Sequence, residues 1–364
     1  MSRIAAKHWE RVKNERDADP AMHDAMRTGG RGRHADGPTS IPAKGWKDVA
    51  WRLYQEVSDD RVLLVAAGVT FYLLLALGPL LAALVSIYGL VLDPANISEQ
   101  VGALAGVVPG GGVDILSSQL ERLASTNNST LGFAFLLSLG IALWSANAGM
   151  KSLFDAMNIA YDEREERGFV RYTLVTLAFT VSLIVAIIVL AGFNAAFTTF
   201  QSAIGLKIPN NIVNVITALL ALTVLIVFLA MLYRYGPSRE DAEWKWITPG
   251  AIFAGIGGVV VSALFTFYVA NFGTYNETYG SLGAIIGFLT WLWLMMVVIV
   301  MGGELNSELE HQTARDTTTG PARPMGERGA VMADNVGRKW GKDAPPSSEV
   351  SVGPRDRRSD TGDK

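Results

Sequence analysis

The stretch VLLVAAGVTFYLLLALGPLLAALVSIYGLVL, residues 62–92, contains no Asp, Glu, Lys or Arg. About 20 helical residues cross the ~30 Å hydrocarbon core of a bilayer, so this stretch is long enough to span one. Five more apolar runs, equally free of charge, follow it along the 364-residue chain. Open strands cannot satisfy their backbone in lipid and the runs lack strand-like alternation, so we predict an all-α membrane protein with six transmembrane helices. The predicted spans are 62–92, 131–150, 173–195, 212–232, 249–271 and 282–303.

Lys and Arg are distributed unevenly between the connections. Those on one side of the predicted bundle are rich in both residues, whereas those on the other side hold only Arg122 and Lys207. Because positive charge is retained on the cytoplasmic side of a bacterial membrane, we predict that both termini are cytoplasmic.

The regions outside the spans divide into amphipathic segments and polar tails. Apolar residues recur at helical spacing over 46–57, which predicts an interfacial helix before the first span. The first outer connection, 93–130, carries two more such stripes, which predict two amphipathic helices. The tails, 1–45 and 312–364, are polar and without periodicity, so we predict that they are disordered and enclose a transmembrane domain over 46–311.

Several chemistries are excluded by composition. The chain has no cysteine, and its four histidines, His8, His23, His34 and His311, all lie in the tails or at their edge. We therefore predict neither a metal site nor a cofactor within the spans. The net charge of -3 provides no basic field, so nucleic acid is not an expected partner. GxSxG, GxxxxGK[ST] and HExxH motifs are absent, and we predict a protein without catalytic residues that is not an enzyme.

Polar residues at the ends of the spans predict one candidate site. Asn147 lies in the second span, Arg234 follows the fourth, and Glu304 and Asn306 follow the sixth. The predicted orientation places all four on the cytoplasmic side, where a Glu304–Arg234 pair with Asn147 nearby would form a gate or a proton-linked cluster. The alternative is that Glu304 only marks the membrane interface, because residues at span ends carry little of the cost of burying a charge.

Two further features remain open between a functional and a structural interpretation. Asn271, Tyr275, Asn276 and Tyr279 crowd the short, glycine-rich third outer connection, which is either an entrance or a rigid hairpin. The pair Gly78–Pro79 lies midway along the first span and predicts a kink. The kink would either act as a hinge or have no function, because neighbouring helices can satisfy the backbone groups that the proline leaves free.

Four segments carry a resemblance that covers the whole membrane region in order. They are AAGVTFYLLLALGP (66–79), LWSANAGMKSLFDAMNIAY (143–161), LYRYGPSREDAEWKWITPG (232–250) and the segment from NFGTYNETYG to GGELNSELE (271–310). In these the chain resembles the YihY/BrkB family of bacterial inner-membrane proteins, formerly labelled ribonuclease BN. The resemblance implies a six-span, multi-pass protein of the inner membrane, and it links the chain to proposals of virulence-related resistance and of export of envelope material.

The ribonuclease label predicts a site that this sequence does not provide. A zinc hydrolase needs closely spaced His and Asp ligands, yet no histidine occurs between His34 and His311. A carboxylate-only magnesium site would have to come from one mixed-charge connection, which we interpret as a solvated helix face. Its acidic residues are Asp155, Asp162, Glu163, Glu165 and Glu166.

The function that these observations favour is transport or export of an envelope-related molecule, with substrate and energy source left open. The alternative is a structural or scaffolding membrane protein with no path through it. The expected partners are the lipid bilayer and an envelope lipid or glycolipid, and the sequence does not indicate an oligomeric state.

Overall fold

The computed structural model describes residues 30–91, 133–204, 209–272 and 282–340, and within these ranges the long elements are all helices. No strand is found there beyond one isolated antiparallel bridge between Ala242 and Thr318. The helices, after a short 3₁₀ turn at Pro38–Ser40, are α1 (Ala43–Asp59), α2 (Val62–Val91), α3 (Phe133–Ala160), α4 (Phe169–Ile204), α5 (Asn210–Tyr235), α6 (Trp244–Phe272), α7 (Leu282–Glu310) and α8 (Val331–Asp334).

Five of these helices contain stretches long and apolar enough to cross a membrane, and they confirm five of the six predicted spans. The helix α3, which contains the predicted second span 131–150, is not among them, so that span stays a prediction. The membrane-capable stretches are Val62–Leu81, Phe169–Leu190, Ile212–Tyr235, Trp244–Asn271 and Leu282–Glu310. The orientation of the termini and the amphipathic helices of the first outer connection also stay predictions, since the latter lie outside the described residues.

The long helices associate through small residues, as expected where lipid supplies no hydrophobic force between helices. The clearest case is the crossing of α6 and α7, where a Cβ atom on Gly250 would overlap the backbone carbonyl of Gly302. The Gly250 backbone N–H donates to the Asn306 side-chain oxygen of α7 at 2.7 Å. This close backbone approach fixes the position at which the two helices cross.

The apolar core lies towards one end of the bundle, and large apolar side chains elsewhere face outward. Phe154, Leu232 and Ile247 are fully buried in the core. Leu64 and Leu264 are 64% and 62% exposed on the outer surfaces of α2 and α6. Exposed leucines on helices of this length are what a lipid-facing surface requires.

The polar segments next to the helices are folded, which corrects the prediction of disordered tails for residues 30–45 and 312–340. The Ala314 N–H donates to the Arg33 carbonyl at 2.9 Å, and the buried Arg328 side chain donates to the Ala314 carbonyl at 2.9 Å. The prediction failed because side-chain-to-backbone hydrogen bonds hold an irregular chain without producing a periodic pattern. Residues 1–29 and 341–364 of the predicted tails lie outside the described residues.

The helix predicted over 46–57 is present as α1, but protein covers part of its surface. Asp48, Val49 and Arg52 are buried against α7 and the segment 312–340. We call this region the charged end of the bundle. It is formed by residues 43–61, the adjoining ends of α3, α5, α6 and α7, the loops that follow α3 and α5, and residues 312–340.

Candidate functional site

Two buried ion pairs connect α7 to its neighbours at the charged end. The Arg239 guanidinium donates to Glu310 at 2.6 Å, and both side chains are fully buried. The same carboxylate accepts the Thr317 hydroxyl at 2.9 Å, and the guanidinium lies 4.4 Å from the ring centre of Tyr161. The Glu310 carboxylate therefore accepts hydrogen bonds both from the loop after α5 and from the C-terminal segment.

The second pair joins α7 to α1. Arg52 forms a buried ion pair with Glu308 and also donates to the Glu308 carbonyl at 3.0 Å. Its guanidinium donates to the Arg338 carbonyl at 2.8 Å, so one side chain holds α1, α7 and the C-terminal segment together.

Glu304 differs from these residues because its surroundings are acidic. Its side chain is 1% exposed, and its Oε1 has no hydrogen-bond partner. The Asp60 carboxyl lies within hydrogen-bonding reach of Glu304, and the charges of Glu56 and Glu308 act on it as well. A buried carboxylate facing other carboxylates is unfavourable unless a proton or another cation neutralises the group.

The acidic residues next to Glu304, outside the spans, are correspondingly harder to ionise. Burial raises the pKa of Asp60 to about 6, with a further contribution from the nearby charge of Asp162. Burial, followed by the charge of Glu308, raises the pKa of Glu56 to about 8. Burial also raises the pKa of Asp162, while the nearby His311 opposes that shift. The charged end therefore contains carboxyl groups that exchange protons near neutral pH.

The predicted Glu304–Arg234 pair is not formed. Arg234 instead lies 3.6 Å from the Asp241 carboxylate, donates to the Ala242 carbonyl, and stacks 4.6 Å from the ring centre of Trp244. Because α5 ends at Tyr235, Arg234 contacts the loop that follows its own helix and does not pair with α7.

The two predicted asparagines occupy different places from Glu304. Asn306 accepts the Gly250 N–H at the α6–α7 crossing, and its Nδ2 is buried without a partner. Asn147 accepts the Thr180 hydroxyl at 3.2 Å between α3 and α4, and its Nδ2 is likewise unpartnered. The four predicted residues thus do not meet in one cluster, although each is buried.

The outer connection and the predicted hinge remain predictions. Asn271 is exposed and its side chain donates to the Phe267 carbonyl at 2.8 Å, whereas Tyr275, Asn276 and Tyr279 lie outside the described residues. The helix α2 continues through Pro79 from Val62 to Val91, and a Cβ on Gly78 would meet open space.

The acidic residues considered for a magnesium site are engaged separately. Asp155 accepts the Tyr172 hydroxyl at 2.7 Å, Glu163 accepts the Val331 N–H at 2.7 Å, and Glu165 pairs with Arg167 at 2.6 Å. In the part of the chain that the structure describes, no three His, Asp or Glu side chains are arranged to hold a metal ion.

Several residues of the charged end were not found from the sequence. They are Arg52, Glu56, Asp60, Arg239, Glu308 and Glu310. One signal was available, since Glu304 and Glu308 are four residues apart and must share a face if the last helix continues past its apolar part. The partners could not be inferred, because Arg52 is separated from Glu308 by 256 residues of sequence.

Comparison with known proteins identifies the family. A family model described as virulence factor BrkB matches residues 53–326, from α1 to the segment that covers the charged end. The chain belongs to the BrkB family. It is 31% identical to a ribonuclease-like protein, YfkH of Bacillus subtilis, over 67% of this chain and 88% of that protein.

Other relatives are bacterial proteins named UPF0761 membrane proteins. The one from Methylibium petroleiphilum is 24% identical over 77% of this chain and 66% of its own length. The one from Chlorobium luteolum is 27% identical over 69% of this chain and 57% of its own length. The BrkB chain thus spans about three fifths of these longer relatives. No solved structure matches the chain. Together with the five membrane-capable helices, the relatives establish a multi-pass bacterial membrane protein.

Proposed function

We propose that this BrkB-family protein transports or exports an envelope-related molecule, and that Glu304 belongs to a proton-linked gate at the charged end. The observation that supports the proposal is the placement of a fully buried carboxylate against Asp60, Glu56 and Glu308 rather than against a cation. Protein covers Glu304 although it lies at the end of a span, so it carries the cost of burial that an exposed residue there would avoid. Unpaired ionisable groups buried within membrane helix bundles commonly belong to ion or proton pathways.

The chemistry of the gate follows from the carboxyl groups themselves. When Asp60 and Glu304 share a proton, their carboxyls attract each other and α1 and α7 remain packed together. Loss of that proton places two negative charges side by side in a poorly solvated site, where repulsion between like charges is strong. Proton release therefore favours separation of α1 from α7, which opens the end of the bundle.

In this proposal the described conformation is the closed state of the gate. Asn147 between α3 and α4 is 1% exposed, and residues 312–340 cover the charged end. In our proposal the positive-inside pattern makes the charged end cytoplasmic. An envelope lipid or glycolipid is the substrate class that we favour, because it would enter such a bundle from the bilayer itself.

We further propose that the protein acts without covalent catalysis. The acidic residues that could have formed a hydrolytic site are held in separate hydrogen bonds to Tyr172, Val331 and Arg167. The ribonuclease-like description applies to the relative YfkH, and here Asp155, Glu163 and Glu165 each face a different partner.

Lipid movement in reconstituted vesicles tests this function. The wild-type chain in liposomes should move NBD-labelled phosphatidylglycerol between leaflets, measured as fluorescence quenched by external dithionite. Glu304→Gln should stop this movement while leaving membrane insertion intact, because a permanently neutral side chain cannot open the gate. Glu240→Gln is the matched control, since Glu240 is half exposed in an outlying ion pair with Arg323.

The outcomes separate the parts of the proposal. No movement by the wild-type chain would contradict a lipid substrate, and equal movement by Glu304→Gln would contradict the gate. Native mass spectrometry of gently extracted protein would add the identity of any lipid or glycolipid that copurifies in fixed stoichiometry. A chain without a bound lipid and without flux would favour a structural role.

A further inference from the structure

The last four described residues of the chain, 337–340, bind α1 through their backbone. The Trp340 N–H donates to the Asp48 carboxylate at 2.9 Å, and the Arg52 guanidinium donates to the Arg338 carbonyl at 2.8 Å. Asp48 and Arg52 are both buried, so these two hydrogen bonds to charged side chains are shielded from water. We call residues 337–340 the latch segment.

The latch segment is also attached to the end of α7. The Gly337 N–H donates at 2.7 Å to the carbonyl of His311, the residue that follows α7, and the Gly337 carbonyl accepts a hydrogen bond from Arg33. At the other end of the segment, the Lys47 ammonium of α1 lies 3.3 Å from the centre of the Trp340 ring, within the range of a cation–π contact. The segment therefore bridges α1 and the end of α7, and separation of the two helices would break some of these contacts.

A close approach at Gly337 fits the latch segment to α1. A Cβ atom at this position would lie 2.6 Å from the guanidinium carbon of Arg52. The guanidinium cannot move aside freely, because it forms a buried ion pair with Glu308 and donates to the Glu308 carbonyl at 3.0 Å. A residue with a side chain at position 337 must therefore either displace the latch segment or break the bonds of Arg52.

The latch segment holds a different part of α1 from the part that faces Glu304. Its contacts fall between residues 47 and 52 of α1, whereas the carboxyls that act on Glu304 belong to Glu56 and Asp60 at the other end of the helix. The contacts of the latch segment are hydrogen bonds and a cation–π contact, and none of them depends on a shared proton. α1 is therefore held to the rest of the protein at two places, by two kinds of interaction.

We propose that the latch segment is an autoinhibitory contact, which holds α1 against α7 and lowers the open fraction of the gate at every pH. Release of residues 337–340 would then open the charged end more easily without any change in the carboxyls around Glu304. This inference rests on the proposed gate for its functional consequence. The attachment of α1 by the latch segment is tested separately, at pH 5, where in our proposal Asp60 and Glu304 keep their shared proton.

Hydrogen–deuterium exchange of the α1 amides in the full chain measures this attachment, because a short helix that loses its packing partners unfolds readily in water. Gly337→Ala should increase α1 exchange at pH 5 by on the order of tenfold or more, the effect of losing one hydrogen bond to a charged group. Trp340→Ala removes only the contact with Lys47 and should give an increase of about two- to fivefold. Lys339→Ala is the control, because it changes an exposed side chain within the same segment.

Exchange of the α6 amides in the same samples shows whether the fold is intact. If Gly337→Ala accelerates exchange in α6 as well, the fold is disturbed and Trp340→Ala decides the question. Wild-type α1 exchange in the deciding variant, or an equal increase in Lys339→Ala, would overturn the proposal. Faster α1 exchange in Gly337→Ala, together with no lipid movement by any variant, would support the attachment of α1 by the latch segment and contradict the transport function.

Discussion

Arg239 and Glu310 form a pair in which neither charge can be removed alone without a large cost. Both are fully buried, so Glu310→Gln would leave the guanidinium without its counter-ion in a site closed to water. We expect this variant to lose about 3–5 kcal/mol of unfolding free energy, and the double variant Arg239→Met with Glu310→Gln to lose less. Denaturant unfolding in detergent, followed by circular dichroism, measures both values.

The exposed pair of Glu240 and Arg323 provides the comparison. Its partners are 3.4 Å apart and about half exposed, so Glu240→Gln should change the unfolding free energy by less than ~1 kcal/mol. Similar losses for Glu310→Gln and Glu240→Gln would show that burial does not control the strength of these pairs.

The carboxyls of the charged end that lie outside the spans predict how stability depends on pH. The pKa of Asp60 is raised to about 6, that of Glu163 to about 7 and that of Glu56 to about 8, in each case chiefly by burial. A raised pKa means that the folded state holds protons that the unfolded state has released, so stability is lost as pH rises towards these values. The melting temperature should fall between pH 5 and pH 8.5.

Glu304→Gln sharpens this test. An amide removes one negative charge from the group, so the variant should melt at a higher temperature than the wild type at pH 8.5 and show a weaker dependence on pH. A melting temperature that rises with pH across this window would contradict the assignment of these carboxyls. The pKa of Glu165, held low by Arg167 despite burial, affects stability only below about pH 4.5 and leaves the window unchanged.

At the scale of helices, the crossing of α6 and α7 depends on two glycines in contact, Gly250 and Gly302, and the space at Gly250 is the tighter of the two. Gly250→Ala would place a methyl group against the Gly302 carbonyl and the Asn306 amide, so the helices must separate. We expect a loss of about 1–3 kcal/mol. Gly287→Ala in α7 is the control, because a Cβ there meets no atom within 4 Å and should stabilise the helix by roughly 0.5–1 kcal/mol. Equal effects of the two variants on the melting temperature would refute this account of the crossing.

The five spans that the structure supports were predictable from the sequence because each is a run without charge, and the cost of placing charge in lipid leaves few alternatives. The ends of the helices could not be predicted in the same way. The predicted sixth span stops at residue 303, whereas α7 continues to Glu310 and carries Glu304 and Glu308 into the charged end. Hydropathy marks where a helix leaves lipid, and it contains no information about where the helix stops once protein covers it.

The ion-pair partners of the charged residues in the candidate site could not be predicted from the sequence, for a related reason. The Glu304–Arg234 pair was inferred from similar depth alone, but side chains at one depth can lie on different sides of a bundle. Arg234 is engaged by the loop that follows α5, and Arg52 reaches Glu308 from the other end of the chain. Only the packing of the helices around one another decides such pairs.

At the scale of the whole molecule, hydrogen bonds from a buried arginine hold the fold of residues 312–340, the segment that covers the charged end. The Arg328 side chain is 3% exposed and donates to the carbonyls of Ala314, Ala333 and Arg323. Hydrogen bonds from a charged group contribute about 1.5–3 kcal/mol, so Arg328→Ala should increase the rate of limited tryptic cleavage within this segment by on the order of tenfold or more.

Arg323→Ala is the control for that experiment, because it also removes one tryptic site but changes a half-exposed side chain. Cleavage of the two variants at the same rate would mean that Arg328 does not hold the segment in place.

Opening of the charged end can be followed at Val49 of α1, which is buried in one apolar cluster with Leu309 of α7. The chain has no natural cysteine, so Val49→Cys provides a single thiol for a membrane-impermeant maleimide added from the cytoplasmic side. Proton release from the carboxyls around Glu304 should open the gate, so labelling should rise between pH 5 and pH 8.5. The same thiol combined with Glu304→Gln should stay protected throughout.

Thiol reactivity itself rises with pH, because the thiolate is the nucleophile and an ordinary cysteine has a pKa of about 8.5. Rates are therefore divided by those of Glu166→Cys, an exposed position on the same side, before they are compared. If this ratio increases with pH only when Glu304 is present, exposure of the buried thiol depends on the protonation of the Glu304 carboxyl. A ratio that stays flat in both backgrounds contradicts the gate and leaves a closed bundle, for which the structural role is the better account.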